Sequence, residues 1–197
     1  MAQLEAALPE ILGSPADAGD VRLIAARPDQ GERRLLDEGV LDATVGLVGD
    51  NWLVRGSRHT ADGSAIPDLQ ITVMNARVAE LVTGGGEEMA LPGDQLYVDL
   101  DLSIDNLPVG TWLSVGTAVL EVTPVPHTGC QKFVARFGAD AMRFVNGREG
   151  RALRLRGMNT RVVVPGVVRV GDVVRKPAPA LALPAARIEP DEAAALD

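Results

Sequence analysis

The stretch RVVVPGVVRVGD, at positions 161–172, contains two valine-rich runs that are separated by Pro165 and Gly166. Valine favours strands because its branched side chain packs well on a pleated surface, whereas a Pro-Gly pair favours a turn. The Gly-Asp pair that ends the stretch is also typical of a turn. The stretch therefore predicts two short strands interrupted at Pro165-Gly166.

The same pattern recurs upstream. Residues 112–113 and 117–122 are two strand-like runs split by Val115-Gly116, which predicts a hairpin. Residues 95–102 alternate between apolar and polar side chains, which predicts a strand with Asp99 and Asp101 on its polar face. Leu153 and Leu155 alternate with arginines and predict one more strand.

Many short strands and few helices predict a mainly β fold, a barrel or a sandwich-like core decorated with a few short helices. Aromatic residues make up only 3% of the chain, so the core must be aliphatic. Residues 1–19 are expected to form a helical extension, and the Ala-, Pro- and acid-rich residues 177–197 a loosely ordered tail. Gly-Asp pairs recur at 19–20, 49–50, 93–94 and 171–172 and are interpreted as reused turn chemistry.

Composition excludes several functional classes. The net charge of −8 argues against binding to nucleic acid or to an anionic membrane, each of which needs a positive surface. No apolar run approaches the roughly 20 residues of a membrane span, and the N-terminus lacks the pattern of a secretory signal. A single cysteine allows no internal disulfide, which agrees with a reducing compartment. We therefore expect a cytoplasmic protein of one main domain.

The loop PVPHTGCQKF, at positions 124–133, holds the only cysteine, Cys130, and one of the two histidines, His127. A free cysteine is often a small buried hydrophobe. Polar neighbours such as Lys132 are poor companions for a core position, and cationic side chains stabilise a thiolate, which is a nucleophile and a soft-metal ligand. The residues alone leave both interpretations of Cys130 open.

The surroundings of Cys130 limit the chemistry. His127 is a candidate base, ligand or turn residue, and no separate orienting residue is evident for a Cys-His hydrolase. A structural zinc site needs about four ligands, more than one cysteine and two histidines supply. Guanidinium groups match phosphate well, and they cluster after the loop. The cluster comprises Arg136, Arg143, Arg148, Arg151, Arg154, Arg156 and Arg161.

Several of these motifs together resemble the MOSC domain, named for the C-terminal domain of molybdenum-cofactor sulfurases. They are VGTAVLEVT at 115–123, PHTGCQKF at 126–133, RFG at 136–138 and GVVRVGD at 166–172, with GLVGD at 46–50 and LPGD at 91–94 as further landmarks. The resemblance covers residues 20–176 and is closest to stand-alone bacterial members. Family members commonly carry Gly-Glu-Asn after the Pro-Gly-Asp segment, where this chain reads QLYVD at 95–99.

The resemblance implies a closed or partly open β-barrel related to the pyruvate kinase β-barrel domain. It implies that Cys130 carries sulfur as a persulfide or ligates molybdenum, and that molybdenum cofactor (molybdopterin) is a possible ligand. The candidate cofactor-binding residues are His127, Lys132, Arg136, Arg143 and Arg161. A pyridoxal-phosphate-dependent cysteine desulfurase or a redox partner is the implied macromolecular partner. The chain would then be a molybdenum-dependent oxidoreductase, reducing N-hydroxylated compounds, or a sulfur-transfer protein.

Two alternatives stay open. The chain could be a non-catalytic domain that retains the fold and binds a small anion or a partner through its arginines. It could also be a cysteine-dependent hydrolase that uses Cys130 and His127. An open, arginine-rimmed pocket at the thiol would favour the molybdenum or sulfur role, and burial among aliphatic side chains would favour the non-catalytic domain.

Overall fold

The computed structural model describes residues 1–176. In chain order its strands are β1 (Ala18–Ala26), β2 (Arg34–Leu36), β3 (Glu38–Asp42), β4 (Gly46–Leu47), β5 (Ile71–Asn75), β6 (Leu96–Val98), β7 (Trp112–Val115), β8 (Ala118–Val122), β9 (Met158–Val164), β10 (Gly166–Arg169) and β11 (Val173–Arg175). Its α-helices are α1 (Ala2–Ala6), α2 (Leu8–Leu12), α3 (Trp52–Arg55), α4 (Ala76–Thr83), α5 (Gln131–Asn146) and α6 (Arg148–Ala152).

Seven strands close into a barrel in the order β1, β11, β7, β8, β9, β5, β6 and back to β1. All neighbouring pairs are antiparallel except β5 and β6. The long strand β1 closes the barrel because its first residues pair with β11 and its later ones with β6. Closure pairs each of these seven strands on both sides, and β2 pairs with the end of β1 outside the ring. The predicted fold class is confirmed, and the barrel is closed.

The barrel interior is aliphatic, as the scarcity of aromatic residues predicts. Its buried cluster includes Val21, Ile24, Leu41, Leu47, Ile71, Val73, Leu96, Leu113, Leu120, Val122, Met158 and Val174. Burial of such side chains contributes roughly 25 cal/mol per Å² of apolar surface removed from water. The barrel is therefore the rigid scaffold on which the loops between its strands are held.

The two strands predicted at 161–172 are present, but they belong to different sheets. β9 lies in the barrel, whereas β10 pairs with β3, which in turn pairs with β4, in a small second sheet. Pro165 stands between them and has no backbone N–H to donate. It therefore marks the point at which the chain leaves the barrel.

A layer of helices covers one outer face of the barrel. Its buried cluster unites α2, α4 and α5 with outward-facing strand residues such as Met74 and Tyr97. For this reason the strand predicted at 95–102 is shorter than expected, and its predicted polar face is wrong. Gln95 and Tyr97 are fully buried, and Asp99 is held by Arg77, whose Nε lies 2.8 Å from the carboxylate.

The strand predicted around Leu153 and Leu155 is also wrong. After α6 the chain turns: the Leu155 amide donates to the Gly150 carbonyl and the Gly157 amide to that of Arg154. Arg154 has a φ of 48°, in the left-handed region that bulky residues rarely adopt. The alternation of leucine and arginine came from this turn, and β9 begins only at Met158.

The expected N-terminal helical extension contains α1 and α2, and Ile11 of α2 is buried in the helical layer. The predicted loose tail, 177–197, lies outside the described residues. Within residues 1–176, no helix has both the length and the apolarity that crossing a membrane requires.

Candidate functional site

The loop that carries Cys130 connects β8 of the barrel to α5, and Cys130 is the residue immediately before the helix. Gly129 is tied down by Asn146, whose side-chain oxygen accepts from the Gly129 amide at 2.9 Å. A Cβ at Gly129 would lie 2.6 Å from the sulfur of Met142, so a larger residue here would require the Met142 side chain to shift. The loop is thereby fixed against α5 while Cys130 stays exposed.

Cys130 lies in the wall of an open cavity of about 700 Å³. The cavity is bounded by the start of α5, by the loop after β1 and by the segments around positions 50 and 92. Its cationic lining residues are Arg27, Arg33, Arg55, Lys132, Arg136 and Arg156. We call it the thiol cavity. Its volume lies within the roughly 300–1,000 Å³ of small-molecule and cofactor sites.

Two of these arginines form buried ion pairs. Arg27 donates to both carboxylate oxygens of Asp50, at 2.8 and 2.9 Å. Arg156 donates to Asp94 at 2.6 Å, and the Asp94 side chain is fully buried. We call Arg27–Asp50 and Arg156–Asp94 the buried pairs. Removing one member of such a pair strands a charge away from water, so each pair fixes the wall of the cavity firmly.

Asp94 also anchors the loop between β8 and α5 (residues 123–130), which we call the thiol loop, because its second oxygen lies 2.8 Å from Nε2 of His127. Burial opposes the ionisation of Asp94, but the attraction of Arg156 and His127 outweighs it, and the pKa of the carboxyl lies well below its usual range. Burial and the charge of Arg156 lower the pKa of His127, and Asp94 compensates only in part. The imidazole is therefore neutral near pH 7, and its Nε2 proton is donated to Asp94.

The remaining cations of the cavity have no such partner. Within residues 1–176, no carboxylate lies within ion-pair distance of Arg33, Arg55, Lys132 or Arg136, which we call the rim cations. Arg33 and Arg136 donate instead to the backbone carbonyls of Ala90 and Leu91.

Two of the rim cations, Arg33 and Arg55, are repelled by neighbouring arginines. Burial, and then the nearby charge of Arg136, lower the pKa of Arg33. Burial, and then Arg27, lower the pKa of Arg55. Cations held this close without counter-charges favour the binding of an anion, which would remove the repulsion.

Two residues that line the cavity each have a buried polar atom without a partner among the described residues: the side-chain oxygen of Asn51 and Nε of Arg156. Most buried polar groups in folded proteins are hydrogen-bonded. The guanidinium of Arg156 lies 5.3 Å from the ring centre of Phe133, which holds it in place. The cavity therefore offers positive charge and one soft sulfur.

The structure brings together only part of the residue set predicted for the site. Cys130, Lys132 and Arg136 line the thiol cavity. His127 lies behind the cavity wall, bound to Asp94. Arg143 is exposed and paired with Asp140, and Arg161 is paired with Glu121 on the outside of the barrel. The structure therefore does not place Arg143 and Arg161 at the thiol.

Several residues at the cavity were missed by sequence reasoning. Arg27, Arg33 and Arg55 come from segments far from Cys130 in sequence. Asp50 and Asp94 were interpreted only as turn residues of recurring Gly-Asp pairs. Those two pairs fall within the landmarks at 46–50 and 91–94, and that coincidence was the available signal. Gln95 belongs to residues 95–99, where the sequence differs from the common Gly-Glu-Asn of the family. Its side chain is buried against Thr72 and does not line the cavity.

Within the described part of the chain, neither a structural zinc site nor a hydrogen-bonded Cys130–His127 pair is formed. No group of three or more His, Cys, Asp or Glu residues within the described part of the chain is arranged to hold a metal ion. His127 bonds Asp94 through Nε2, and among the described residues it makes no hydrogen bond to Cys130. The fold and the cavity together define a small β-barrel protein with a thiol on the wall of a cationic pocket.

Comparison with known proteins agrees with this description. The family model for the MOSC domain matches residues 70–175, and the chain belongs to this family. No curated protein matches it. Among solved structures, YuaD from Bacillus subtilis superposes with a TM-score of 0.55 at 16% identity, covering 80% of this chain and 94% of that one. YiiM from Escherichia coli gives 0.51 at 18% identity, covering 81% and 70%. These likenesses establish the fold.

Proposed function

We propose that this protein binds a molybdopterin-type cofactor in the thiol cavity, with Cys130 as the thiolate ligand of molybdenum. The single observation that carries the proposal is the position of Cys130 in an open cavity of about 700 Å³ that is also lined by the rim cations, which have no carboxylate partner within residues 1–176. A buried thiol among aliphatic residues would have favoured a non-catalytic domain instead. Membership in the MOSC family supports the proposal.

The residues present fit this group. The rim cations supply hydrogen-bond donors and charge for a phosphate. A cysteine thiolate is a soft ligand suited to a soft-metal centre. When bound, the cofactor would supply the two-electron redox chemistry that reduction of an N-hydroxylated compound requires.

The chain itself contributes binding and orientation. The Arg156–Asp94–His127 group fixes the loop before Cys130 and the cavity wall with one set of hydrogen bonds. Near pH 7 Asp94 is ionised and His127 is neutral. The negative charge of Asp94 offsets the positive charge of Arg156, so the group has almost no net charge. The free positive charge is thus concentrated on the rim cations, where an anionic ligand would bind.

The test is to express the full chain in a molybdate-replete host and to measure molybdenum and pterin per protein. We expect both in the wild type at close to one per chain. Cys130→Ser should retain pterin and lose most of the molybdenum, because the rim cations still bind the phosphate. Gln131→Ala, an exposed neighbour, is the matched control and should retain both. Absence of both pterin and molybdenum from the wild type would overturn the proposal.

A second candidate is favoured by one observation, the exposure of Cys130. An exposed thiolate can accept sulfane sulfur from the persulfide of a cysteine desulfurase, with release of the donor's thiolate. The wild type incubated with a desulfurase and cysteine would then gain the mass of one sulfur atom, and Cys130→Ser would not. If the wild type gains no sulfur but binds molybdenum, the cofactor role stands alone.

A further inference from the structure

A second cavity, of about 290 Å³, lies on the other side of the thiol loop. It is formed by the loop from Thr123 to Thr128, by the end of α5 and by the turn after α6. Arg156 lines both cavities. The second cavity is otherwise separate, and none of the rim cations lines it.

Its walls are mainly apolar. Ile104, Val109, Pro124, Val145 and Met158 contribute to the lining. Ile104 and Val109 are about half exposed and mark the mouth, whereas Val145 and Met158 are buried and mark the interior. A ligand that enters would bury apolar surface, and the volume suits a single ring or a short branched chain, since it is at the small end of ligand sites.

Two arginines give this apolar cavity a positive charge. Arg154 and Arg151 both line it, and no carboxylate within residues 1–176 is in ion-pair distance of either. Nη1 of Arg154 donates to the carbonyls of Leu107 at 2.6 Å and Leu102 at 3.3 Å, which anchor the guanidinium. Burial alone lowers the pKa of Arg154. Arg154 therefore has hydrogen bonds to carbonyls but no counter-charge within residues 1–176, and an anion that reached it would not have to displace an ion pair.

The backbone at Arg154 adds an independent observation. Its φ of 48° is the one positive value outside glycine among the described residues. A non-glycine residue in this region is strained, and such strain clusters at binding sites. In this conformation the Arg154 guanidinium reaches the carbonyls of Leu102 and Leu107.

We propose that the second cavity is a binding site for a small organic acid, with the carboxylate paired to Arg151 and Arg154 and an apolar body against Val145 and Met158. Inorganic phosphate would use the arginines and leave the apolar walls bare. A neutral apolar molecule would use the walls and leave both charges unpaired. The combination of the two surfaces selects a carboxylic acid with a compact apolar body. This site is independent of the proposed cofactor role.

The test uses phenylacetate as the probe and phenylacetamide as its neutral counterpart, titrated into the full chain. Binding is followed by calorimetry and by shifts of the methyl signals of Val145 and Met158. We expect phenylacetate to bind at about millimolar strength and phenylacetamide about tenfold more weakly. Equal binding of the two probes, or saturation without any shift of these methyl signals, would overturn the proposal.

Variants locate the site. Arg151→Gln, at an exposed position that should not disturb folding, is expected to weaken phenylacetate about tenfold. Arg148→Gln on the same helix is the matched control and should bind normally. Val109→Trp should block the mouth, whereas Val173→Trp, at a similarly exposed valine elsewhere, should not. Because the thiol cavity also attracts anions, Arg136→Gln is the last control. Loss of the methyl shifts in that variant, with Arg151→Gln unaffected, would refute the second site.

Discussion

The arginines of the buried pairs and the rim cations line the same cavity, but only the arginines of the buried pairs have carboxylate partners within the described residues. Each arginine of the buried pairs meets an aspartate at 2.6 to 2.9 Å. Each rim cation lacks a carboxylate partner within the described residues, and Arg33 and Arg55 have lowered pKa values as a result of burial and neighbouring cations. The difference assigns two tasks to one kind of side chain. The buried pairs hold the cavity wall in place, and the rim cations provide charge for a ligand.

The strongest test of this division is Asp94→Asn. The substitution leaves Arg156 buried without its counter-charge and removes the charge that accepts from His127. We expect the free energy of unfolding at pH 7 to fall by about 3–5 kcal/mol, as for other buried pairs that lose one partner. Urea denaturation measures it. Asp105→Asn, an exposed aspartate, should change stability by less than about 0.5 kcal/mol. A loss below about 1 kcal/mol for Asp94→Asn would mean that the pair does not stabilise the wall.

Substitution of a rim cation should weaken anion binding and leave the free energy of unfolding almost unchanged. Arg33→Gln and Arg136→Gln are each expected to weaken the binding of pyrophosphate about tenfold, since a hydrogen bond to a charged group contributes about 1.5–3 kcal/mol. Stability should stay within about 0.5 kcal/mol of the wild type, because no ion pair is broken. Calorimetric titration and urea denaturation measure the two quantities.

Arg143→Gln is the control for the rim. Arg143 is on the same helix as Arg136 but is paired with Asp140 outside the cavity. Its replacement should leave pyrophosphate affinity unchanged. If Arg143→Gln weakens binding as much as Arg136→Gln does, the attraction comes from the overall charge of α5 and the distinction between the two sets of cations fails.

These assignments depend on contacts that the sequence reveals only in part. The hairpin of β7 and β8 was predictable because strand propensity and a glycine turn are local properties. The place of Cys130 was predictable because its loop is rich in Pro and Gly. The partners of Arg27 and Arg156 were not, since the aspartates lie 23 and 62 residues away and only the folded barrel brings them together.

Alternation of polar and apolar residues misled at two places for different reasons. Gln95 and Tyr97 are buried, and their polar atoms accept hydrogen bonds from the backbone amides of Thr72 in β5 and of Asp94. Alternation of polar and apolar residues therefore indicates the two faces of a strand, but it does not show that the polar face is exposed to solvent. Around Leu155, the same pattern arises in a turn that needs a left-handed residue at Arg154. A single sequence carries no signal for that conformation when the residue is not glycine or asparagine.

The pH dependence of stability sharpens the role of the buried pairs. The pKa of His127 is below 6.5 in the folded protein, so the native state takes up a proton less readily than the unfolded chain. Its contribution is therefore fully present above pH 6.5 and is lost as the pH falls toward the lower folded value. Asp94 also has a lowered pKa, but its contribution is lost only as the pH falls below 3.8.

Between pH 6.5 and 5.5 the wild type should therefore lose stability through His127, by at most about 1.4 kcal/mol. His127→Gln keeps a donor for Asp94 and should remove this part of the pH dependence. His59→Gln, at the other histidine, should not. Urea denaturation at both pH values measures the slopes. Equal slopes in the wild type and in His127→Gln would show that the imidazole is not held neutral.

The smallest effect is expected for Arg161→Gln, which tests whether an arginine pair outside the cavity behaves like a buried one. Arg161 lies 3.0 Å from Glu121 and 3.5 Å from Asp68, with its side chain 46% exposed. Water already screens this charge, so the substitution should cost between about 0 and 1 kcal/mol of stability. Pyrophosphate affinity should not change, because Arg161 does not line the thiol cavity. A cost near that of Asp94→Asn would show that pairing alone stabilises this barrel, and that burial is not what distinguishes the two buried pairs.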